Sequence, residues 1–322
     1  MSNDWILLRI QEEFSKKHRA SKMVKLPSHI DFVPYGTNGV EMIIKSEMVG
    51  KPMQDDKANF EGWALVMKRW GEFEKVILRW GRPNFSPNDP ANGSYQRFLF
   101  RAHCFSNHFS DWFSIHPDSR LFLKSDLRIK PNITYFLNEP SKNRPEHKPQ
   151  RDEGKLEKRF VNGDLNAELL KITESLRLDR QLKVGLFNET KEAKKVSKSN
   201  AIFPHRPSAV DIWGISKNNE LLLLELKKGK GSVGIISELY FYSCVMQCVR
   251  EGQFQFKEFK TLNLNRIAGA SKIKAYFLAP KLHRLIDDEK IFDDLNAGTA
   301  PNIEFHYLKF PMGGGIPVIP VF

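Results

Sequence analysis

Three charged residues in the C-terminal half interrupt segments that are otherwise apolar. Asp211 lies within 210–215, and the aliphatic segment that begins at Leu221 ends with Glu225 and Lys227. Residues two apart in a β-strand share one face, so Glu225 and Lys227 are expected to point the same way. An unpaired charge in a strand interior is costly. The pattern therefore predicts a site at this end of the strand.

The connection between the two segments determines whether Asp211 joins the other two residues. Residues 216–220 are polar and rich in Asn, which is typical of a tight hairpin. A two-residue loop at 218–219 would oppose Asp211 to Leu226 and turn its side chain to the wrong face. A three-residue loop at 217–219, or a β-bulge, would bring Asp211 beside Glu225. The site hypothesis thus requires an odd loop or a bulge.

Two carboxylates that lie so close repel one another unless a cation lies between them. Their oxygen ligands favour Mg²⁺ or Mn²⁺. Such an ion polarises a phosphoryl oxygen and lowers the pKa of an attacking water. Lys227 could orient or deprotonate that water, or stabilise a pentavalent transition state. The alternative is that Lys227 only begins the basic run 227–230 in a solvated turn.

The segments around these residues have the mixed periodicity of an α/β fold. Helices are predicted at 155–162, at about 165–176 and, with the spacing of a well-buried helix, at 233–250. Strands are predicted at 181–187, 209–216, 220–227, 272–279 and 303–310. The polar, basic segment 191–200 indicates a loop or hairpin tip, and 312–315 a flexible turn.

Segment 138–153 has three prolines, many charges and almost no apolar residues, which is typical of an exposed linker. It divides the chain into a mixed α+β domain (1–140) and a second domain (150–322). In the first, a helix is predicted at 4–19 and strands at 75–80 and 95–101. The aromatic stretch 98–113 and the nearby His103, Cys104, His108 and His116 lack the paired spacing of metal ligands. These residues are interpreted as core aromatics with scattered histidines.

Charge and cysteine content restrict the setting of the protein. The net charge is +12, which favours a polyanionic partner such as nucleic acid. Residues 1–150 hold 23 basic and 17 acidic residues and 151–322 hold 27 and 21, so charge does not indicate which half binds. Three cysteines suggest no disulfide framework, and Cys244 and Cys248 are expected to pack in the core. We found neither a signal peptide nor a membrane-spanning segment and expect a cytoplasmic protein.

Asp211, a gap of thirteen residues and Glu225-Leu226-Lys227 resemble the D…(D/E)xK signature of the PD-(D/E)XK nuclease superfamily. This group includes restriction endonucleases, RecB-type exonucleases and Holliday-junction resolvases. The resemblance covers roughly 153–310; Val210 stands where the family usually has Pro. It implies a restriction-endonuclease-like α/β sandwich with a mixed central sheet. It also implies Mg²⁺- or Mn²⁺-dependent hydrolysis of DNA, in repair, restriction or defence.

Three further residues match positions of that family. Its first helix often supplies a glutamate to the metal, which here is Glu157, with Glu153 as second choice. RecB-like members carry Gln or Glu with Tyr four residues later, which matches Glu238 and Tyr242, although Gln is usual at the first place. Tyr242 fits a core position equally well. The resemblance implies that Asp211, Glu225, Lys227 and Glu157 are catalytic, that all but Lys227 bind metal, and that Glu238 and Tyr242 support them or contact substrate.

The alternative function is a catalytically inactive nucleic-acid-binding or scaffold protein on the same fold. The basic segments 191–198 and 227–230 are candidates for phosphate contacts in either case. The role of the first domain stays open between substrate recognition and binding of a protein partner. A homodimer also stays open.

Overall fold

The structure is a computed structural model. It describes residues 4–18, 24–53, 58–85, 89–137, 152–188, 201–203, 208–229, 231–256, 264–311 and 318–322. Its contacts divide the chain into unit 1, Met1–Arg128 with Arg284–Gly298, and unit 2, Ile129–His283 with Thr299–Phe322. This division differs from the sequence-based boundary in two places. Residues 129–137 belong with unit 2, and a late segment returns to unit 1. Segment 138–151 lies outside the described residues.

The elements are numbered in chain order. The described helices are α1 (Asp4–Lys17), α2 (Glu61–Trp70), α3 (Ala91–His108), α4 (Pro117–Asp126), α5 (Asp152–Asn162), α6 (Asn166–Ile172), α7 (Ile235–Arg250), α8 (Leu264–Ala268) and α9 (Glu289–Thr299). The described strands are β1 (Ile30–Tyr35), β2 (Gly39–Ile44), β3 (Lys75–Trp80), β4 (Phe113–Ile115), β5 (Tyr135–Leu137), β6 (Ser175–Lys183), β7 (Leu186–Phe187), β8 (Ala209–Ser216), β9 (Leu221–Leu226), β10 (Phe254–Phe256), β11 (Ile273–Ala279), β12 (Ile303–Lys309) and β13 (Ile319–Pro320).

Unit 1 contains a four-stranded sheet in the order β1-β2-β3-β4, in which only the β1–β2 pair is antiparallel. The predicted helix at 4–19 and strand at 75–80 are confirmed as α1 and β3. The predicted strand at 95–101 is wrong, because these residues lie inside α3. This stretch is buried all around, including Arg101, which pairs with Glu61. The alternation of aromatic and polar residues at 95–101 therefore does not correspond to one buried and one exposed face.

Unit 2 is built on a six-stranded mixed sheet in the order β13-β12-β11-β9-β8-β6. The strands β6, β8 and β9 are antiparallel neighbours, whereas β9, β11 and β12 run parallel. Leu156 and Phe160 of α5 join one cluster with Leu224 and Leu226 of β9. On the opposite face, α7 packs through Tyr240, whose ring stacks 6.3 Å from that of Phe305. Helices on both faces of a mixed sheet confirm the α/β class.

Most sequence-predicted elements of unit 2 are confirmed, with shifted ends. The helix predicted at 165–176 ends at Ile172, because Glu174 adopts a left-handed backbone with φ of 51°. The strand predicted at 181–187 is instead two strands: β6 begins at Ser175 and β7 belongs to a second sheet, β10-β5-β7. The predicted loops at 191–200 and 312–315 lie outside the described residues. None of the helices described is long and apolar enough to cross a bilayer.

The hairpin between β8 and β9 has the three-residue loop that the site hypothesis requires. Ile215 pairs with Leu221, and the Ser216 N–H donates to the Glu220 carbonyl at 2.9 Å, which leaves 217–219 as the loop. Asn219 has φ of 59°, and loops of this length commonly place a residue in that left-handed region. The Ser216 hydroxyl also accepts from the Asn218 and Glu220 N–H groups. Backbone and side-chain bonds thus both support the odd register.

A close approach between β8 and β6 gives a stability prediction. A Cβ on Gly214 would lie 2.8 Å from the Arg177 carbonyl oxygen, whereas a Cβ on Gly229 would meet nothing within 4 Å. Gly214→Ala is therefore expected to lower the free energy of unfolding by about 1–3 kcal/mol through overpacking. Urea denaturation measures the change, with Gly229→Ala as the matched control. Equal midpoints for the two variants would contradict the close approach.

Candidate functional site

The central strands place three polar side chains in one row. The β8–β9 register pairs Ile212 with Leu224, so Asp211 stands opposite Glu225. The β6–β8 register pairs Leu182 with Val210, which puts Gln181 opposite Asp211. Glu225 in turn lies beside Phe277 of β11. Asp211 and Glu225 alternate with residues of the α5 cluster and so lie on the opposite face of the sheet, in agreement with the orientation expected for Glu225. The Gln181 side chain instead reaches Glu157 of α5.

Lys227 bridges two buried carboxylates. Its Nζ lies 2.8 Å from Glu225 Oε1 and 2.8 Å from Glu238 Oε2. Glu238 stands in the first turn of α7, so that helix brings the second carboxylate to the end of β9. Burial by itself favours the neutral amine, but the two carboxylates outweigh it, and the pKa of Lys227 is raised. Lys227 is therefore a held cation and not a free turn residue.

Asp211 and Glu225 are destabilised as carboxylates. Desolvation is the largest cause that raises the pKa of Asp211, to about 7, and the nearby Glu157 charge adds to it. The Leu226 N–H opposes this effect by donating to Asp211 Oδ2 at 2.9 Å. Desolvation and then Asp211 itself raise the pKa of Glu225. A bound cation would stabilise the ionised form of both carboxyl groups.

Glu157 lies next to this pair but is already engaged. Its Oε2 accepts from Arg180 Nε (3.1 Å) and Nη2 (2.9 Å). Gln181 Nε2 donates to both Glu157 oxygens, at 3.1 and 3.0 Å. Gln181 has φ of 58°, a left-handed conformation that is uncommon for a residue other than Gly. Glu157 is therefore near Asp211 and is held by two residues that the sequence did not point to.

The remaining sequence-predicted residues divide between site and core. Tyr242 is buried on α7, and its ring lies 5.5 Å from that of Phe241. Cys244 and Cys248 are buried free thiols on the same helix, as expected of core residues. Glu153, the second choice, is farther out: its Oε1 is 3.5 Å from the Lys228 N–H. The basic segment 191–198 lies outside the described residues.

Arg180 and Gln181 left only a weak sequence signal. Gln181 is the first residue of the predicted strand 181–187 and Arg180 immediately precedes it, and polar residues are ordinary at a strand end. The register that places them beside Asp211 depends on β6 beginning at Ser175, six residues earlier than predicted. Knowing that β6 extends through Asp179, Arg180 and Gln181 would have shown three consecutive polar residues inside a strand. β6 is an edge strand in which Gln181 is exposed, so this signal would still be weaker than a carboxylate within the buried strand β9.

The carboxylate oxygens of Asp211 and Glu225 suit a hard cation. Glu225 is 3% exposed, and its Oε2 is buried without a hydrogen-bond donor among the described residues. A buried carboxylate oxygen without a donor is costly unless a cation or water meets it. In the part of the chain described, no group of three His, Cys, Asp or Glu side chains is arranged to hold a metal. Mg²⁺ is compatible with this, since it commonly uses one or two carboxylates and keeps several waters.

The raised pKa of Asp211 predicts how stability depends on pH. Below pH 4 the carboxyl is protonated in both states, and above pH 7 it is ionised in both. Between these values the folded state keeps a proton that the unfolded state has lost, so stability falls as pH rises. A change from 3.8 to about 7 corresponds to at most about 4 kcal/mol.

Asp211→Asn is therefore expected to raise the free energy of unfolding at pH 8 in EDTA and to change it little at pH 4. Urea denaturation at both pH values measures this. The control is Asp164→Asn. A hydrogen bond from Arg159 lowers the pKa of Asp164, so this substitution is expected to lower the free energy of unfolding at pH 8. An Asp211→Asn variant that is less stable than the wild type at pH 8 would refute the interpretation of the site as electrostatically strained.

Comparison of the chain with protein-family models, with curated proteins and with solved structures gives no match in any of the three. The arguments for a function therefore come from the chain itself. They are the row of residues across β6, β8 and β9 and the charges that surround it.

Proposed function

We propose that unit 2 is a divalent-metal-dependent nuclease of the PD-(D/E)XK type that hydrolyses phosphodiester bonds, with DNA as substrate. One observation carries the proposal: the three-residue hairpin loop sets Asp211 opposite Glu225, with Lys227 on the same strand end. Had the loop been one residue shorter, Asp211 would face the α5 cluster. This register supports the interpretation of the spacing D…ExK as a nuclease signature.

The architecture supports the finer fold proposal, a restriction-endonuclease-like sandwich. In chain order, unit 2 has helix α5, the antiparallel strands β6, β8 and β9, the helix α7 and the parallel strand β11. This order resembles that of the superfamily named above. In such an arrangement the signature residues come from the two central strands, and the first helix adds a carboxylate.

The site residues would divide the work as follows. Asp211 and Glu225 would hold Mg²⁺ or Mn²⁺, which when bound supplies a Lewis acid for the phosphoryl oxygen and an acidified water. Hydrolysis joins the water oxygen to phosphorus, breaks the bond from phosphorus to the leaving oxygen and leaves a proton on that oxygen. Lys227 is held charged by Glu225 and Glu238, so its role is to donate to a phosphate oxygen and not to take the proton of the water.

The charge of the chain supports a nucleic-acid partner. A net charge of +12 favours polyanions over cationic or neutral substrates. Free cysteines are compatible with a reducing compartment, and a cytoplasmic location is part of the proposal. The role of unit 1, in substrate recognition or partner binding, stays a prediction. An inactive binding or scaffold protein on the same fold is the alternative that the following experiment separates.

The test is cleavage of linear, circular and single-stranded DNA, with RNA as a further substrate, in Mg²⁺ or Mn²⁺. Asp211→Asn and Lys227→Met are each expected to lower the rate by at least about 100-fold, because each removes charge stabilisation of the transition state. Asp164→Asn and Lys171→Met are exposed, matched controls and are expected to cleave like the wild type. Folded wild-type protein that binds no divalent cation and cleaves nothing would favour the binding-protein alternative.

A milder variant tests the second anchor of Lys227. Glu238→Gln keeps an oxygen acceptor for Lys227 Nζ but removes one of its two charged partners. We expect cleavage to fall about tenfold, since Lys227 is then less firmly positioned, while divalent-cation affinity changes little. Initial rates and calorimetric Mn²⁺ binding measure the two effects. A variant with wild-type rates would show that Glu238 is structural only.

A further inference from the structure

We propose that the site takes a single divalent cation, at Asp211 and Glu225, and that the Arg180 guanidinium supplies the second positive charge, at Glu157. The inference rests on the proposed function and names how its metal centre is composed. It distinguishes two kinds of carboxylate within one acidic cluster. One kind has a carboxylate oxygen that a cation could contact, and the other is already paired with a positively charged side chain.

Glu157 belongs to the neutralised kind. It is 4% exposed, and both oxygens receive donors: Arg180 provides two to Oε2, and Gln181 one to each oxygen. Paired donors from one guanidinium are among the strongest carboxylate contacts in proteins. A cation that used Glu157 would have to displace these four contacts. It would also leave a positive charge directly beside a dication.

The position of Arg180 is fixed from two sides. Its Nη2 also donates to the Gly154 carbonyl at 3.2 Å, so the guanidinium joins two turns of α5 to β6. The side chain is 23% exposed, and the planar guanidinium loses little freedom when it is held in this way. The left-handed backbone at Gln181 aims the adjacent amide at the same carboxylate. Two consecutive residues of β6 therefore form one clamp on Glu157.

Asp211 and Glu225 belong to the other kind. Lys227 occupies only Oε1 of Glu225, and Oε2 is buried without a donor among the described residues. The Leu226 N–H reaches only Oδ2 of Asp211. Glu225 is only 3% exposed, so the oxygen without a donor is shielded from bulk water. A cation here would meet Glu225 Oε2, which lacks a donor in the part of the chain that the structure describes, whereas a cation at Glu157 would compete with an arginine.

Calorimetric titration of the full chain with Mn²⁺, without substrate, tests the inference. The wild type is expected to bind one Mn²⁺, and binding is expected to be lost in Asp211→Asn and Glu225→Gln. Glu157→Gln is expected to keep one Mn²⁺. Two Mn²⁺ in the wild type, with one lost in Glu157→Gln, would overturn the proposal.

Removal of the guanidinium gives the complementary result. Arg180→Met is expected to add a second Mn²⁺ or to tighten the first about tenfold, because a cation can then use Glu157. The double variant Arg180→Met/Glu157→Gln removes both charges and is expected to return to one Mn²⁺ near the wild-type affinity. Arg177→Met, on the same strand and 74% exposed, is the matched control and should bind like the wild type.

The readouts separate this inference from the proposed function. A wild-type protein that cleaves DNA and binds two Mn²⁺ would overturn only the single-cation inference. One that binds no Mn²⁺ and cleaves nothing would overturn both. Arg180→Met leaves Glu157 buried with Gln181 as its remaining donor, and loss of such a partner is strongly destabilising. If that variant folds only in Mn²⁺, the result supports the inference; if it stays unfolded, the Glu157→Gln stoichiometry decides.

Discussion

Strand register in the β8–β9 hairpin is the constraint on which the candidate site depends. Side chains alternate between sheet faces with a period of two, so a slip of one residue would exchange the acidic row for the apolar set that packs on α5. The loop 217–219, the left-handed Asn219 and the Ser216 hydroxyl together oppose such a slip. The aliphatic residues of β9 add to this, because their burial on both faces leaves only one place for the charges.

The site concentrates negative charge where water is largely excluded, and the rest of unit 2 compensates for part of it. Lys227 pairs with both Glu225 and Glu238 and offsets one of their two charges, and Arg180 neutralises Glu157. Among the described residues, a backbone N–H is the donor to Asp211, and burial raises the pKa of both Asp211 and Glu225. Charge left uncompensated in the folded state destabilises the protein and prepares a site for a cation, and functional sites commonly carry this cost.

Unit 1 shows the limits of periodicity in a strongly aromatic core. The residues at 95–101 alternate as in a strand, yet they lie within α3, and all of them are buried. Arg101 is 1% exposed and paired with Glu61, so a charged residue there does not mark a solvent-facing position. The periodicity of apolar and polar residues indicates the buried face of a helix or strand only when the other face is exposed to water.

The sequence by itself determined the α/β class and most elements of unit 2, and it singled out Asp211, Glu225 and Lys227 as candidates. Those features depend on local contrasts, such as a charge that ends an apolar strand. Only the tertiary structure decided the odd loop length, the position of Glu238 at Lys227 and the clamp of Arg180 and Gln181 on Glu157. These depend on register and on helices that approach from elsewhere in the chain. Contacts of that kind join residues separated by 11 to 24 positions and leave no periodic signal.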